Sequence, residues 1–182
     1  MATYVALLRG INVGRAKQVS MADLATVFGS CGFANVRTVL RSGNVVFESA
    51  SPVDDSTAAL LEGELLRRTG VASSMVLITG EDLRRIAAEN PLLQTATDPS
   101  RLMVGFASQP PDSSLAPDAR TLDPEVLVVG ERAVYQWCPD GVSNSRVPES
   151  FWRQVAPVVT VRNWRTVTRL LDLLPPAAAR AV

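Results

Sequence analysis

At the end of the apolar run Tyr4–Leu8 the sequence turns cationic. Arg9, Arg15 and Lys17 fall within YVALLRGINVGRAK, with Gly10, Asn12 and Gly14 between them. These residue types suit an anion. A guanidinium offers a planar fork matched to phosphate or carboxylate. Glycines let backbone N–H groups approach an oxyanion and tolerate positive φ. An asparagine amide both donates and accepts. Arg41-Ser42-Gly43-Asn44 repeats that chemistry. A third set, Arg162-Asn163-Trp164-Arg165, stands at the expected start of a helix, where the dipole favours an anion. Trp164 would be a stacking platform for a base or a half-buried anchor between helix and sheet. GINVG is neither the Rossmann fingerprint nor a Walker loop. Each set also has a plain reading, as turn-forming glycines beside solvated arginines.

Composition removes several chemistries. Histidine is absent, which excludes Ser-His-Asp and Cys-His catalysis and His-rich metal sites. Cys31 and Cys138 form no metal spacing and no disulfide framework, so neither a metal nor a cofactor is expected. Lys+Arg and Asp+Glu balance at 18 each, without the basic excess of a duplex-DNA binder. No apolar run is long enough to span a membrane, and MATYVALLRG lacks the regions of a secretory signal. The expected location is cytoplasmic.

The 182 residues, 47% of them hydrophobic, suffice for one domain or two small ones. Tyr4–Leu8 reads as a central strand. A capping-box-like start at Ser20 leads into Met21, Leu24, Ala25, Phe28 and Cys31 at helical spacing, stopped by Gly32. VRTVLRSGNVVFES is a hairpin signal around Ser42-Gly43-Asn44. A helix carrying Leu61 and Leu65 runs to Gly70. SSMVLI follows as a strand, and a helix capped at Thr79 ends at Asn90-Pro91. Leu102, Val104 and Phe106 then alternate as a strand. A proline-rich connection with one short helix follows, then a hairpin around Gly130-Glu131. Val147, Phe151 and Val155 stand four apart on a helix before the strand VVTV. Asn163 caps a last helix with Val167, Leu170, Leu171 and Leu174 inward, stopped by Pro175-Pro176. AAARAV reads as a frayed tail.

The order is α+β: two tandem ferredoxin-like (split βαβ) halves, residues 1–95 and 96–182, each with an extra C-terminal helix. In that topology the end of the first strand shares a sheet edge with the hairpin between the second and third. Arg9 and GINVG should therefore meet Arg41, Ser42, Gly43 and Asn44. The turn at Arg162 should lie on the opposite edge from its own half's hairpin.

ALLRGINVG, MADL…GFANVRTVLRSGNVVFES, DPSRLMVGF, WCPDGVSNSRV and TVRNWRTVTRLLDL together resemble the bacterial family catalogued as domain of unknown function 1697, collinearly from about Tyr4 to Leu174. The resemblance implies a fold family without an assigned activity. It marks Arg9, Gly10, Asn12, Gly14, Lys17, Ser42, Gly43, Asn44, Arg162, Asn163 and Trp164. Arg41 stands where that pattern has glutamine and Arg165 where it has asparagine, so part of the positive charge is particular to this chain.

The leading functional reading is a module that binds a phosphorylated or other anionic ligand, a nucleotide or small phosphate ester. Nucleic acid fits less well, because the strands VRTVL and NVVFES offer only Phe47 as a sheet-face aromatic. Enzyme activity stays open as an alternative. It would combine arginine charge stabilisation with proton transfer by Asp140, Glu149, Glu48 or Lys17, and CPDGVSNS would be its loop. A homodimeric or partner-binding protein, adding strands at VLVVG, is the other.

Overall fold

The computed structural model describes residues 1–12 and 18–176; Gly14, Arg15, Lys17 and the expected tail at 177–182 lie outside the described residues. The chain is α+β, with six α-helices and eight strands among the described residues. The strands form two four-stranded antiparallel sheets. The chain divides into two compact units, Met1–Arg85 together with the chain from Arg169, and Ile86–Thr168. No described helix is long and apolar enough to cross a membrane.

The first unit contains β1 (Ala2–Leu8), α1 (Met21–Ser30), β2 (Ala34–Val39), β3 (Asn44–Ser49), α2 (Asp55–Thr69) and β4 (Met75–Thr79), in sheet order β2-β3-β1-β4. The central strand β1 is buried on both faces, which explains an apolar run without alternation. Tyr4, Ala6 and Leu8 join Leu24, Phe28, Val45, Phe47, Leu61 and Leu65 in the core beneath the helices. Phe47 organises the aromatic part: its ring centroid lies 5.1 Å from Phe28, 4.8 Å from Phe33 and 5.8 Å from Tyr4. It is fully buried, so it presents no ring at the surface.

Side-chain caps start the helices, at Ser20 and Thr79 where the sequence reading places them and at Asp54, which it did not single out. Ser20 Oγ accepts from Asp23 N at 3.0 Å ahead of α1, and Asp54 closes a capping box with Thr57 ahead of α2. Thr79 Oγ1 accepts from Asp82 N at 2.9 Å at the start of α3 (Gly80–Ala88). Hydrogen bonds from Ser56 and Thr57 hold the Asp54 carboxyl below the usual carboxylate range. After α6 (Trp164–Asp172), Arg37 donates to Leu173 O at 2.8 Å and Arg84 donates to Pro175 O, satisfying carbonyls at the end of that helix.

The second unit contains β5 (Leu102–Ala107), β6 (Val126–Val129), β7 (Ala133–Trp137) and β8 (Val159–Asn163), in order β6-β7-β5-β8. A 3-10 turn at Ser113–Leu115 and the four-residue α4 (Ala119–Leu122) connect β5 to β6. The prolines keep this crossover from forming a long helix. Between β7 and β8 lies α5 (Glu149–Gln154); Phe151 within it, and Val147 and Val155 on either side of it, enter the core with Val134 and Val159.

Removing the ring at the centre of the first core should be costly. Phe47→Ala is expected to lower stability by about 3–5 kcal/mol, read as a lower urea midpoint. The Asp54 cap has a folded pKa below its unfolded one. Its contribution is therefore present above the ordinary carboxylate range and disappears as pH falls through the depressed value. Asp54→Asn should flatten that acid limb in a pH-dependent denaturation series.

Candidate functional site

Three chain segments meet at the end of β1. The antiparallel register sets Leu7 opposite Asn44 and Leu8 opposite Met75. Leu8 N donates to Gly43 O and Arg9 N to Ser74 O, each at 2.8 Å. Ser73 Oγ donates to Arg9 O at 2.9 Å. The topology expected from sequence thus places the Arg9 loop beside the β2–β3 turn.

Gly43 makes the approach close. Its φ is +77°, and a Cβ there would lie 2.8 Å from Ile11 Cδ1 and 2.9 Å from Leu8 Cβ. Asn12 secures the loop. Its Oδ1 accepts from Val19 N at 2.8 Å while its Nδ2 donates to Val19 O at 3.0 Å and to Arg41 O at 2.7 Å. The side chain acts as a second strand would towards Val19, and it ties the loop to the neighbouring turn. Asn44 is fully buried, and its Nδ2 donates to Val39 O at 2.8 Å and to Ser42 Oγ at 3.0 Å. Leu40, 42% exposed, is held at φ 58° on the same turn. The left-handed region costs an L-residue roughly 1–2 kcal/mol, and so exposed a leucine recovers little of it by burial.

The two asparagines and Ser42 therefore build the site's frame, and the guanidiniums project from it. Arg9 and Arg41 are exposed, and among the described residues neither side chain has a hydrogen-bond or ion-pair partner. Arg9 and Gly10 line a cleft of about 640 Å³, with Glu62, Gly63, Ser73 and Ser74 among its other lining residues. Glu62 Oε1 accepts from Met75 N at 2.8 Å. Gly63 lies within α2, and a Cβ there would meet nothing within 4 Å. The sequence reading did not single out Glu62, Gly63, Ser73 or Ser74. An isolated glycine inside a helical pattern was the available signal for Gly63.

Arg162, Asn163 and Trp164 belong to the second unit. Met103 opposite Asn163 and Phe106 opposite Ala133 set them on the sheet edge away from that unit's hairpin, as the topology implies. Arg162 is 8% exposed, and its Nη1 donates to Thr160 Oγ1 at 2.7 Å and to Val161 O at 2.9 Å. Burial pushes its guanidinium down to about 10, which leaves it charged at neutral pH. Asn163 Oδ1 accepts from Thr166 N at 3.0 Å as the cap of α6, Arg165 pairs with Asp98 at 3.6 Å, and Trp164 is half-buried.

Two of the groups considered for catalysis, Glu48 and Glu149, are engaged locally. Glu48 accepts from Asn35 Nδ2 at 2.8 Å, and Glu149 pairs with Arg153 at 2.7 Å. Cys138 is fully buried; burial, with the nearby Glu125 charge, pushes its thiol up to about 12, so it stays protonated. Among the described residues no group of His, Cys, Asp and Glu could hold a metal ion.

Residues 1–135 match the family model described as protein of unknown function (DUF1697). No curated protein matches the chain. Among solved structures it is similar to the conserved bacterial protein SP0830 from Streptococcus pneumoniae, at 24% identity, covering 94% of this chain and 97% of that one, with a TM-score of 0.70. At that identity the likeness is one of fold.

Frame and projecting groups should separate in stability measurements. Gly43→Ala is expected to cost about 2–4 kcal/mol, from the left-handed backbone and the overlap with Ile11 and Leu8. Asn12→Ala should cost about 1–3 kcal/mol by leaving Val19 and Arg41 backbone groups unpaired. Arg9→Ala and Arg41→Ala should each stay within about 0.5 kcal/mol of the parent in urea titrations.

Proposed function

The chain belongs to the DUF1697 family, and we propose that it binds a small phosphorylated or otherwise anionic ligand at the Arg9–Arg41 edge of its first unit. The observation that carries this reading is Arg9: an exposed guanidinium, without a partner among the described residues, on the wall of a cleft large enough for a small molecule. Arg41 stands on the turn tied to the same loop by Asn12. The strained Leu40 on that turn supports it further, because such backbone tends to be kept where a site needs it. Gly63 supports it too. A glycine inside a helix is unfavourable by about 1 kcal/mol relative to alanine, and here it leaves the cleft open.

Glu62 narrows the ligand. A carboxylate in the cleft disfavours a bare polyanion, whereas a phosphate ester can set its phosphate towards Arg9 and donate a hydroxyl to Glu62. Nucleotides and sugar phosphates have that two-ended character. The sheet orders β2-β3-β1-β4 and β6-β7-β5-β8, each filled in the same sequence of strands, support reading the units as tandem ferredoxin-like halves.

Thermal unfolding with phosphate, adenosine monophosphate, adenosine triphosphate and ribose 5-phosphate, beside adenosine and ribose as uncharged controls, tests the reading. A ligand bound only by the folded state adds about 2.7 kcal/mol at a hundredfold excess over Kd. The expected result is a selective rise for a phosphate ester that is lost in Arg9→Ala and in the cleft-filling Gly63→Leu, and reduced by added salt. Gly63→Ala should itself melt higher, by the roughly 0.5–1 kcal/mol of helix propensity. A shift of equal size in Arg9→Ala, or none with any ester, would overturn the assignment.

A further inference from the structure

The second unit holds a cavity of about 360 Å³ that the anion reading leaves unused. Met103, Val147, Trp152 and Val161 make apolar walls, and Gln136 and Ser145 are polar positions within it. The indole of Trp152 lies against the sheet only because residue 105 is glycine: a Cβ there would be 2.7 Å from Trp152 Cζ3.

Behind Gln136 lies a buried carboxylate. Glu125 is 8% exposed. Its Oε2 accepts from Gln136 Nε2 at 2.8 Å and from Ser145 Oγ at 2.9 Å, and its Oε1 accepts from Arg146 N. Ser145 Oγ also accepts from Gln136 Nε2 at 2.8 Å and from Val147 N at 3.2 Å. The carboxylate can only accept, so the amide must turn its NH2 group towards Glu125. That fixes which way round the amide sits, with Oε1 turned away from Glu125.

Among the described residues no donor reaches Gln136 Oε1, although Gln136 is only 1% exposed. It is not sealed off either, since the sealed side-chain atom without a partner is Asn90 Nδ2. The small accessible surface left to Gln136 opens on the cavity that it lines. A buried, neutral acceptor held in one orientation, set among apolar walls and beside an indole, is the arrangement of a recognition site. Its charge is specified too. The Glu125 carboxylate behind the amide disfavours an anion, and at Glu149, which also lines the cavity, the charge is balanced by Arg153 2.7 Å away.

We infer that this cavity binds a small, flat, uncharged molecule with an N–H donor, its N–H on Gln136 Oε1 and its ring against Trp152. The site is independent of the basic edge in the first unit. It gives a role to WCPDGVSNSRV, which supplies Ser145 and Val147 to the cavity and Val142 to its mouth.

Titration of the full chain with indole, followed by two-dimensional amide NMR, tests the inference, with 1-methylindole and indole-3-acetate as comparisons. Saturable shifts are expected at the Gly105 amide, the Gln136 side-chain amide and the Trp152 indole. Loss of one net hydrogen bond corresponds to roughly two- to tenfold in affinity, so 1-methylindole should bind at least about twofold more weakly. The anionic indole-3-acetate should also bind more weakly than indole. Val161→Phe, which fills the cavity, and Val142→Trp, at a position 52% exposed, should each weaken indole binding at least about tenfold with a dispersed spectrum retained. If one variant fails to fold, the other and the 1-methylindole comparison still decide. No saturable shift at those residues, equal affinity for indole and 1-methylindole, or parental binding by either folded variant would overturn the site.

Discussion

The first unit turns on one close approach. At the end of β1 the backbone of Gly43 comes so near Leu8 and Ile11 that a single added carbon would overlap both. Through that gap run the Leu8 N to Gly43 O hydrogen bond and the clamp by which Asn12 holds Val19 and Arg41 O. Had the turn stood further off, the Asn12 amide would reach one segment and not both. The two arginines flank this contact but are not consumed by it. Structural polar groups are satisfied by one another, which leaves the cationic groups without an internal role.

The elements were legible because local chemistry punctuates them. Ser20, Thr79 and Asn163 each mark a helix start by a side chain that accepts a backbone N–H. The placement of the Arg9 loop beside the Arg41 turn was legible for a different reason: in the expected topology the first strand pairs with the third, as β1 pairs with β3. What could not be read was the direction in which an amide spends its hydrogen bonds. Asn12 and Asn44 have the chemistry to hold an anion and the chemistry to hold a turn, and only the positions of Val19, Arg41 and Val39 decide between them. Nor does helical spacing say which sheet receives a helix face, so the grouping of the chain from Arg169 with the first unit had no sequence signal.

Arg9 and Arg162 show how little residue type determines on its own. Both end a strand-like run beside an asparagine or glycine. Arg162 lies in β8, opposite Val104, and Thr160 two residues before it is buried on the same face. Its guanidinium donates to Thr160 Oγ1 and Val161 O, and burial lowers its affinity for its proton without removing the charge. A charge so enclosed stabilises its surroundings only if those dipoles stay in place. Arg9 is one residue beyond a strand buried on both faces, and there its side chain is exposed.

The second sheet provides an internal control for the first. Its strands are paired in the corresponding order, with Phe106 opposite Ala133 where the first sheet sets Leu7 opposite Asn44. The chain leaving β5, however, is Ser108-Gln109-Pro110-Pro111, and the hairpin beside it is Gly130-Glu131-Arg132. Ser108 N donates to Val158 O, and Gly130 packs on Tyr135 of its own hairpin, whereas Gly43 meets Ile11 of the loop that leaves β1. The same strand order thus carries Arg9 and Arg41 at this edge in one unit and a single arginine, Arg132, beside Glu131 in the other. It is the residues placed at the strand ends, together with the glycine that lets them close on each other, that make the edge a candidate site; the sheet supplies only the positions.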